Sequence, residues 1–364
     1  MTWVLFAIVP LIIYAYWAMK ALNVLRQQAH THSNGWRHKD EWPPFTLIMA
    51  FRNEREHLSV WGKALEEWLL AFPSMQVVLV DDGSTDGSAD ALGHLENYSN
   101  YRLLTTVGVG KKLAIQRAVE ESKGEVLLFT DADVLPKKEW IAAMLQPFAN
   151  SAIQMVLGPV VYGKAPTLKN RMMTLDFLAL MISSEAAVLL QRPVMANGAN
   201  YAVRRTTRMK ASQKDLQIDL PSGDDVFLLH YISQKHGPNT IEFVRDLRAC
   251  VETSPPDNWH AFVKQRLRWG SKSRSYRDRD ALGLTLLVFL TNVSLPILFL
   301  FDWKMGLLAW LVKALLDYPL LRKAVTHFGR GDALSVFLFQ SIIYPIYITL
   351  LGLASQLWPV KWKD

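Results

Sequence analysis

Long apolar runs stand at the two ends of the chain and short ones in its middle, and this contrast divides the sequence before any residue chemistry is considered. From Trp3 to Met19 the positions are nearly all apolar, with Tyr14, Tyr16 and Trp17 near one edge and Lys20 and Arg26 just beyond it. Such a run, edged by aromatic residues and followed by basic ones, suits a transmembrane helix whose basic end faces the cytosol. A cleaved signal peptide is the rival, but no basic segment precedes the run and no small-residue cleavage site follows it. Toward the carboxyl end, Ala281 to Phe301, Met305 to Leu321 and Leu334 to Leu353 are further runs of roughly spanning length. The middle one carries Lys313 and Asp317 one turn apart. Either the pair neutralises itself inside a bundle, or the segment is a re-entrant or interfacial helix.

Between residues 40 and 275 the period changes. After a polar stretch from His30 to Asp40, Phe45 to Ala50 reads as a buried strand announced by Pro43 and Pro44. Glu56 to Leu70 reads as a helix, Gln76 to Val80 as a second strand, Lys111 to Ser122 as a helix, and Glu125 to Thr130 as a third strand. Strands alternating with helices predict an α/β fold with a right-handed, mostly parallel sheet. The expected organisation is an anchor over 1–25, a sheet domain over 40–275 and about three carboxyl-terminal transmembrane helices over 280–358. Ligands of such sheets gather at the carboxyl ends of the strands. Asp81–Asp82 and Asp131–Ala132–Asp133 each follow a predicted strand, which puts both acidic clusters on that edge.

Composition sharpens the membrane reading. Half of the 364 residues are hydrophobic, a high share for a purely soluble protein, and the net charge is +7. Between Lys264 and Arg279 stand seven Lys or Arg against the single acid Asp278, and Arg322, Lys323 and Arg330 follow the next run. The positive-inside rule places both stretches, and the middle of the chain with them, in the cytosol. Basic residues there also meet anionic headgroups, and no nucleic-acid motif accompanies the charge. The lone Cys250 excludes an intramolecular disulfide framework.

Two motifs could carry chemistry. Asp131 and Asp133 have the spacing to share a hard divalent cation with water and phosphate oxygens, although the same residues could simply shape a turn before Pro136. Asp81–Asp82–Gly83–Ser84–Thr85–Asp86–Gly87–Ser88 could accept hydrogen bonds from a nucleoside, with Gly83 allowing close backbone approach, or could be an Asx-rich turn. His57, His94, His230 and His236 lack mutual metal-ligand spacing.

In order along the chain stand Ala50–Phe51–Arg52–Asn53–Glu54, Asp81 to Asp86, Gly110 to Gln116, Thr130 to Asp133, Asn197 to Arg205, Gly223–Asp224–Asp225 and Gln265–Arg266–Leu267–Arg268–Trp269. This series resembles the inverting family 2 glycosyltransferases over roughly residues 42–275. Gln265–x–x–Arg268–Trp269 narrows the resemblance to the membrane group that includes cellulose, chitin, hyaluronan and poly-N-acetylglucosamine synthases and ceramide glucosyltransferase. The resemblance implies a nucleotide-sugar-binding domain of GT-A type, with Asp81 and Asp82 at the nucleoside and Asp131 and Asp133 holding Mg2+ or Mn2+ with the diphosphate. Asp225 would be the general base, and Asn197, Gly198, Asp224, Gln265 and Trp269 would bound the acceptor. Lys111, Arg266 and Arg268 are candidates to neutralise the leaving diphosphate, and Trp269 could pack against a sugar ring.

A carboxylate base is chemically required, because a hydroxyl is a poor nucleophile until its proton is taken. One base and one activated leaving group describe a single displacement with inversion. As an isolated motif, Ser222 or Asp224 would be read as a helix cap. Gly–Asp–Asp in place of Thr–Glu–Asp is closer to the hyaluronan and chitooligosaccharide synthases. The expected function is transfer from a nucleotide-diphosphate sugar, by resemblance a UDP-sugar, to a lipid-linked or saccharide acceptor at the cytosolic face of a bacterial-type cytoplasmic membrane. A processive polysaccharide synthase is the alternative, and about four spans are few for an export channel, so it would need a partner protein or oligomer. A non-catalytic nucleotide-sugar-binding scaffold is the reading from another class.

Overall fold

The computed structural model describes residues 2–27, 42–164, 166–220 and 222–357, with side chains from residue 8 onward. The expected His30 to Asp40 linker lies outside the described residues. In chain order the elements begin with α1 (Thr2–Gln27), β1 (Phe45–Phe51), α2 (Arg55–Ala71), β2 (Met75–Asp81) and β3 (Tyr101–Thr105). They continue with α3 (Lys111–Glu121), β4 (Val126–Thr130), α4 (Glu139–Leu145), β5 (Met155–Leu157) and β6 (Val160–Tyr162). Then come α5 (Leu168–Leu189), β7 (Asn200–Arg204), α6 (Arg205–Lys210), α7 (Asp224–His236), β8 (Ile241–Phe243) and β9 (Val251–Thr253). The last elements are α8 (Trp259–Ser271), α9 (Arg279–Phe301), α10 (Trp303–His327) and α11 (Phe337–Leu357).

The described chain divides into two compact units. One is an α/β unit around a seven-stranded sheet of order β3-β2-β1-β4-β7-β5-β8. The first four strands in that order are mutually parallel, β7 runs antiparallel to both β4 and β5, and β8 is parallel to β5. The sheet is therefore mostly parallel, as the strand–helix alternation predicts. Its central strands are buried on both faces: every residue of β4 is buried, as are six of the seven in β1. That is why they read as unbroken apolar runs rather than alternating ones.

The register fixes what meets at the carboxyl edge. Phe51 pairs with Asp81 and Asp81 with Thr105, so the loops after β1, β2 and β3 start side by side. Thr130 pairs with Asn200 in the antiparallel β4–β7 ladder, so the chain leaving β4 at Asp131 lies beside the chain entering β7 through Gly198 and Ala199.

The second unit is helical and contains α1, α5, α8, α9, α10 and α11. α1 packs on α9 and α10, and α9 on α10 and α11. Among the described residues, four helical segments are long and apolar enough to cross a membrane: Ile8–Gln27, Leu168–Leu189, Arg279–Phe301 and Gly331–Leu357. This set differs from the expected one. α10, the expected span over Met305 to Leu321, is a continuous helix of 25 residues but falls outside the set, because its charged residues lower its mean hydropathy. α5 stands in its place, and 72% of its apolar window is buried. The Lys313–Asp317 pair forms as expected, at 2.6 Å, and Asp317 also accepts a 2.5 Å hydrogen bond from the Tyr14 hydroxyl of α1.

Candidate active site at the carboxyl edge of the sheet

The loops after β1 and β2 are laced together before any ligand is considered. Asn53, at φ 56°, accepts from the Thr85 amide at 2.8 Å, while its own amide donates to Ser84 Oγ at 2.9 Å. The Glu54 amide donates to Ser88 Oγ (2.8 Å), and the Arg55 amide to Asp86 (3.1 Å). Asp81 Oδ1 takes the Ser84 amide at 2.8 Å, an Asx-type turn. Much of the Asp81 to Ser88 motif is thus spent on building the loop.

Asp82 is used in the same way. Its Oδ1 accepts from Thr106 Oγ1 (2.8 Å) and the Val109 amide (2.8 Å), and its Oδ2 accepts from the Gly110 amide (2.9 Å). The side chain expected at the nucleoside is 1% exposed and organises residues 106–110. Gly83, at φ 78°, makes its close approach to this same loop: a Cβ there would stand 3.3 Å from the Gly108 amide nitrogen. The close backbone approach that Gly83 allows is made here by residues 106–108 of the chain itself.

Past the Asp82-held loop, α3 begins with two lysines that have separate duties. Lys112 is buried and donates to the Leu216 and Gln217 carbonyls at 3.2 and 2.7 Å. Lys111 turns to the sheet edge, where Nζ meets Asp131 Oδ1 at 2.5 Å. Burial alone would lower its pKa, but Asp131, Asp224 and Asp133 raise it above the ordinary lysine value, so it is a fixed cation.

The Asp131–Asp133 turn is held by Trp61 of α2, whose Nε1 donates to the Ala132 carbonyl at 3.0 Å. Asp133 accepts from Thr253 Oγ1 at 3.2 Å. Partial loss of solvation and the charge of Asp131 raise the Asp133 pKa, with Lys111 and Thr253 acting in the opposite direction. Two hard carboxylates that repel each other form a donor set that a divalent cation relieves, and Mg2+ or Mn2+ needs few protein oxygens when phosphate and water complete its shell. The residues therefore fit the implied metal. Among the described residues, no group of three or more His, Cys, Asp or Glu has metal-holding geometry.

Asp224 and Asp225 are the first two residues of α7, where the helix dipole favours carboxylates. Neither Ser222 nor Asp224 is the cap: that position is Gly223, at φ 97°, with no side-chain capping bond. A Cβ added at Gly198 would lie 3.7 Å from Asp225 Oδ2 and 3.9 Å from Lys111 Nζ. Gly198 is thus a floor between the candidate base and the fixed cation. Asn197 makes the turn that delivers it, accepting the Ala199 amide at 3.1 Å. Lys111, Asp131, Asp133, Gly198, Asp224 and Asp225 are consequently gathered in one place.

Two residues to which the sequence assigns no role border this cluster. Arg208 is 3% exposed, donates to Gln116 Oε1 at 3.1 Å and faces Asp224 and Tyr201; its burial lowers its pKa. Tyr201 stacks on Phe129 with centroids 4.4 Å apart, and burial raises its pKa. Tyr201 belongs to the Asn197 to Arg205 stretch, but a stacking partner on β4 becomes visible only with the β4–β7 register.

The remaining expected residues lie on α8 of the helical unit. Gln265 Oε1 accepts from the Tyr162 hydroxyl (3.2 Å) and from Arg266 Nη1 (2.7 Å). Arg266, expected to neutralise a diphosphate, is 8% exposed, and its Nε and Nη2 lie 2.8 and 2.7 Å from Asp176 Oδ2 on α5. Its guanidinium is 4.5 Å from the Phe262 ring centroid and 4.4 Å from that of Trp269. Arg266 is accordingly a buried tie between α8 and α5, its charge already matched by Asp176. Arg268 and Trp269 are half-buried.

Residues 46–210, which include the Asp81, Lys111, Asp131 and Gly198 segments, match the family described as Glycosyl transferase family 2. The chain is similar to that family over this stretch. It is 23% identical over 244 residues to the probable glycosyltransferase YdaM of Bacillus subtilis (strain 168), a stretch covering 64% of this chain and 56% of that protein. To an N-acetylglucosaminyltransferase of Rhizobium sp. (strain N33) it is 25% identical over 287 residues, covering 75% and 61%. The chain spans roughly 40–60% of the length of the curated relatives it matches. Among solved structures it shares its fold with the mannosyltransferase PcManGT from Pyrobaculum calidifontis, solved with GDP-Man and Mn2+, at a TM-score of 0.62 and 16% identity over 98% of this chain and 97% of that one. The chain therefore has a GT-A-like fold with a mostly parallel sheet.

Proposed function

We propose that the chain is an inverting, metal-dependent glycosyltransferase that moves a sugar from a nucleotide-diphosphate donor, by resemblance a UDP-sugar, to a lipid-linked or saccharide acceptor at the cytosolic face of a membrane. The observation that carries this reading is the convergence of Asp225, Lys111 and the Asp131–Asp133 turn around Gly198. Asp225 takes the proton of the acceptor hydroxyl as its oxygen bonds to the anomeric carbon. The bond from that carbon to the diphosphate oxygen breaks on the opposite side, which inverts the centre. Lys111 supplies a permanent positive charge beside the departing phosphates. Asp131 and Asp133 would hold the divalent cation, which neutralises the diphosphate as a Lewis acid. Gly198 leaves room for the acceptor between base and cation. Arg208 and Tyr201 position the start of α7. For Gln265, Arg268 and Trp269 a part in the site rests on the sequence pattern alone, as does uridine as the base.

The PcManGT structure holds GDP-Man and Mn2+, which supports a donor panel containing both UDP- and GDP-sugars. The test is purified full-length protein incubated with labelled donors and Mn2+ or Mg2+, with products partitioned into glycolipid and polymer. Transfer to a lipid-phase product that needs the metal is the expected outcome; long polymer would favour the processive alternative. Asp225→Asn should lower turnover about 10²- to 10⁴-fold with the donor KM little changed, the range for losing a general base. Wild-type turnover in Asp225→Asn would overturn the assignment.

A further inference from the structure

A groove of about 860 Å³ runs between α1 and α9, walled by Val9, Ile13, Gly283, Leu286 and Leu290 and closed at one end by the turn after α5. It is large for a pocket of the roughly 300–1,000 Å³ class that takes small molecules. Its walls belong to helices long and apolar enough to cross a membrane. Its polar groups stand at one end only, where Arg192 and Arg279 accompany Asp280. Arg192 and Asp280 pair at 2.5 Å, so the mouth keeps one net positive charge. We infer that this groove is a binding site for an anionic phospholipid of the bilayer, its hydrocarbon along α1 and α9 and its phosphate at Arg279 and Arg192.

Two further observations support this assignment. Arg279 is the first residue of α9, where a cation works against the helix dipole, and the cap is already supplied by Asp278, which accepts the Ala281 amide at 2.9 Å. Arg279 is therefore there not for helix stability but as a cytosolic-side charge, and it stands at the mouth of the groove where a phosphate would meet it. Gly283, one turn further on, has no atom within 4 Å of where its Cβ would be. The groove is therefore open at this wall, with room for a hydrocarbon chain. Basic pockets between membrane helices on the cytoplasmic side recognise anionic headgroups by this combination of charge and apolar wall.

The inference rests on the membrane placement proposed above but not on the transferase chemistry. The full chain, purified in neutral detergent, is mixed with equal amounts of dioleoyl phosphatidylglycerol and dioleoyl phosphatidylcholine, and bound lipid is counted by native mass spectrometry. The expected result is one phosphatidylglycerol retained per chain, preferred about fivefold, as one net charge at an anionic headgroup gives. Arg279→Gln should bring the two lipids to parity. Gly283→Trp, whose ring enters the open space, should lose the bound lipid, while Gly283→Ala keeps it. Equal retention of both lipids by the wild type, or undiminished phosphatidylglycerol on Gly283→Trp, would overturn the inference. Melting temperatures verify that the variants are folded, and if Gly283→Trp is not, Arg279→Gln decides alone. Asp225→Asn should retain lipid as the wild type does, so a failure of the lipid site and a failure of the transferase reading give different results.

Discussion

Asn200 shows how one side chain can set the geometry of the β4 edge. It is fully buried, donates from Nδ2 to the Pro159 and Ala249 carbonyls at 2.8 Å each, and accepts from Trp140 Nε1 at 2.8 Å. A Cβ at Gly158 would stand 2.3 Å from that amide, so Gly158 is required beside it. Asn200→Ala leaves three buried polar groups unsatisfied and should cost about 3 kcal/mol or more, since each lost partner strands about 1–3 kcal/mol of desolvation. Asn200→Asp should cost more still, because a carboxylate would face two carbonyl oxygens; comparison of the two melting temperatures checks both. Asp82 offers a second test at this scale. In Asp82→Asn an amide group confronts backbone N–H donors that now point at a carboxylate, so hydrogen exchange at Val109 and Gly110 should accelerate while the sheet stays protected. Unchanged exchange there would mean that Asp82 does not hold the loop. The sequence marks Asp82 as chemically important, but whether it serves a nucleoside or a loop depends on residues 106–110, which lie more than twenty positions away.

Elements were legible in proportion to their burial. β1, β2 and β4 are covered on both faces and read directly as apolar runs, and α2 and α3 follow from helical periodicity between them. β5 and β8 have three residues each, too few to show a period, and β7 is recognisable only through its antiparallel partners. α5 was hidden for the opposite reason: Asp176 and Glu185 interrupt its apolar run, yet Asp176 is neutralised by Arg266 from α8. The link between elements that matters most for the proposed metal is the bond from Trp61 on α2 to the Ala132 carbonyl. Trp61→Phe keeps an aromatic ring but removes the donor that fixes the Asp131–Asp133 turn. Mn2+ affinity, measured calorimetrically in the presence of nucleoside diphosphate, should fall about tenfold, the lower range for losing an outer-shell support. Undiminished affinity would show that the turn needs no help from α2.

On the scale of the whole molecule, some charges serve the sheet edge and others the helical unit. Lys313 and Asp317 belong to the second set. Lys313 is 6% exposed and stands 5.3 Å from the ring centroids of both Tyr14 and Tyr344, while Asp317 is shared by Lys313 and the Tyr14 hydroxyl. From the sequence, the two charges one turn apart promised mutual pairing; the tie from α10 to α1 required the fold. Breaking a pair whose ammonium is buried is costly in a way that removing it whole is not. Asp317→Leu strands the Lys313 ammonium and should destabilise the chain by about 3–5 kcal/mol. Lys313→Leu combined with Asp317→Leu removes both charges and should recover most of that loss, with Tyr14→Phe removing the last unmatched hydroxyl. Melting temperatures in detergent give the order: single variant lowest, double higher, triple closest to the wild type. If the double variant is as stable as the wild type yet loses transfer activity, the pair has a role in the reaction; if activity survives, its role is confined to joining α1 and α10.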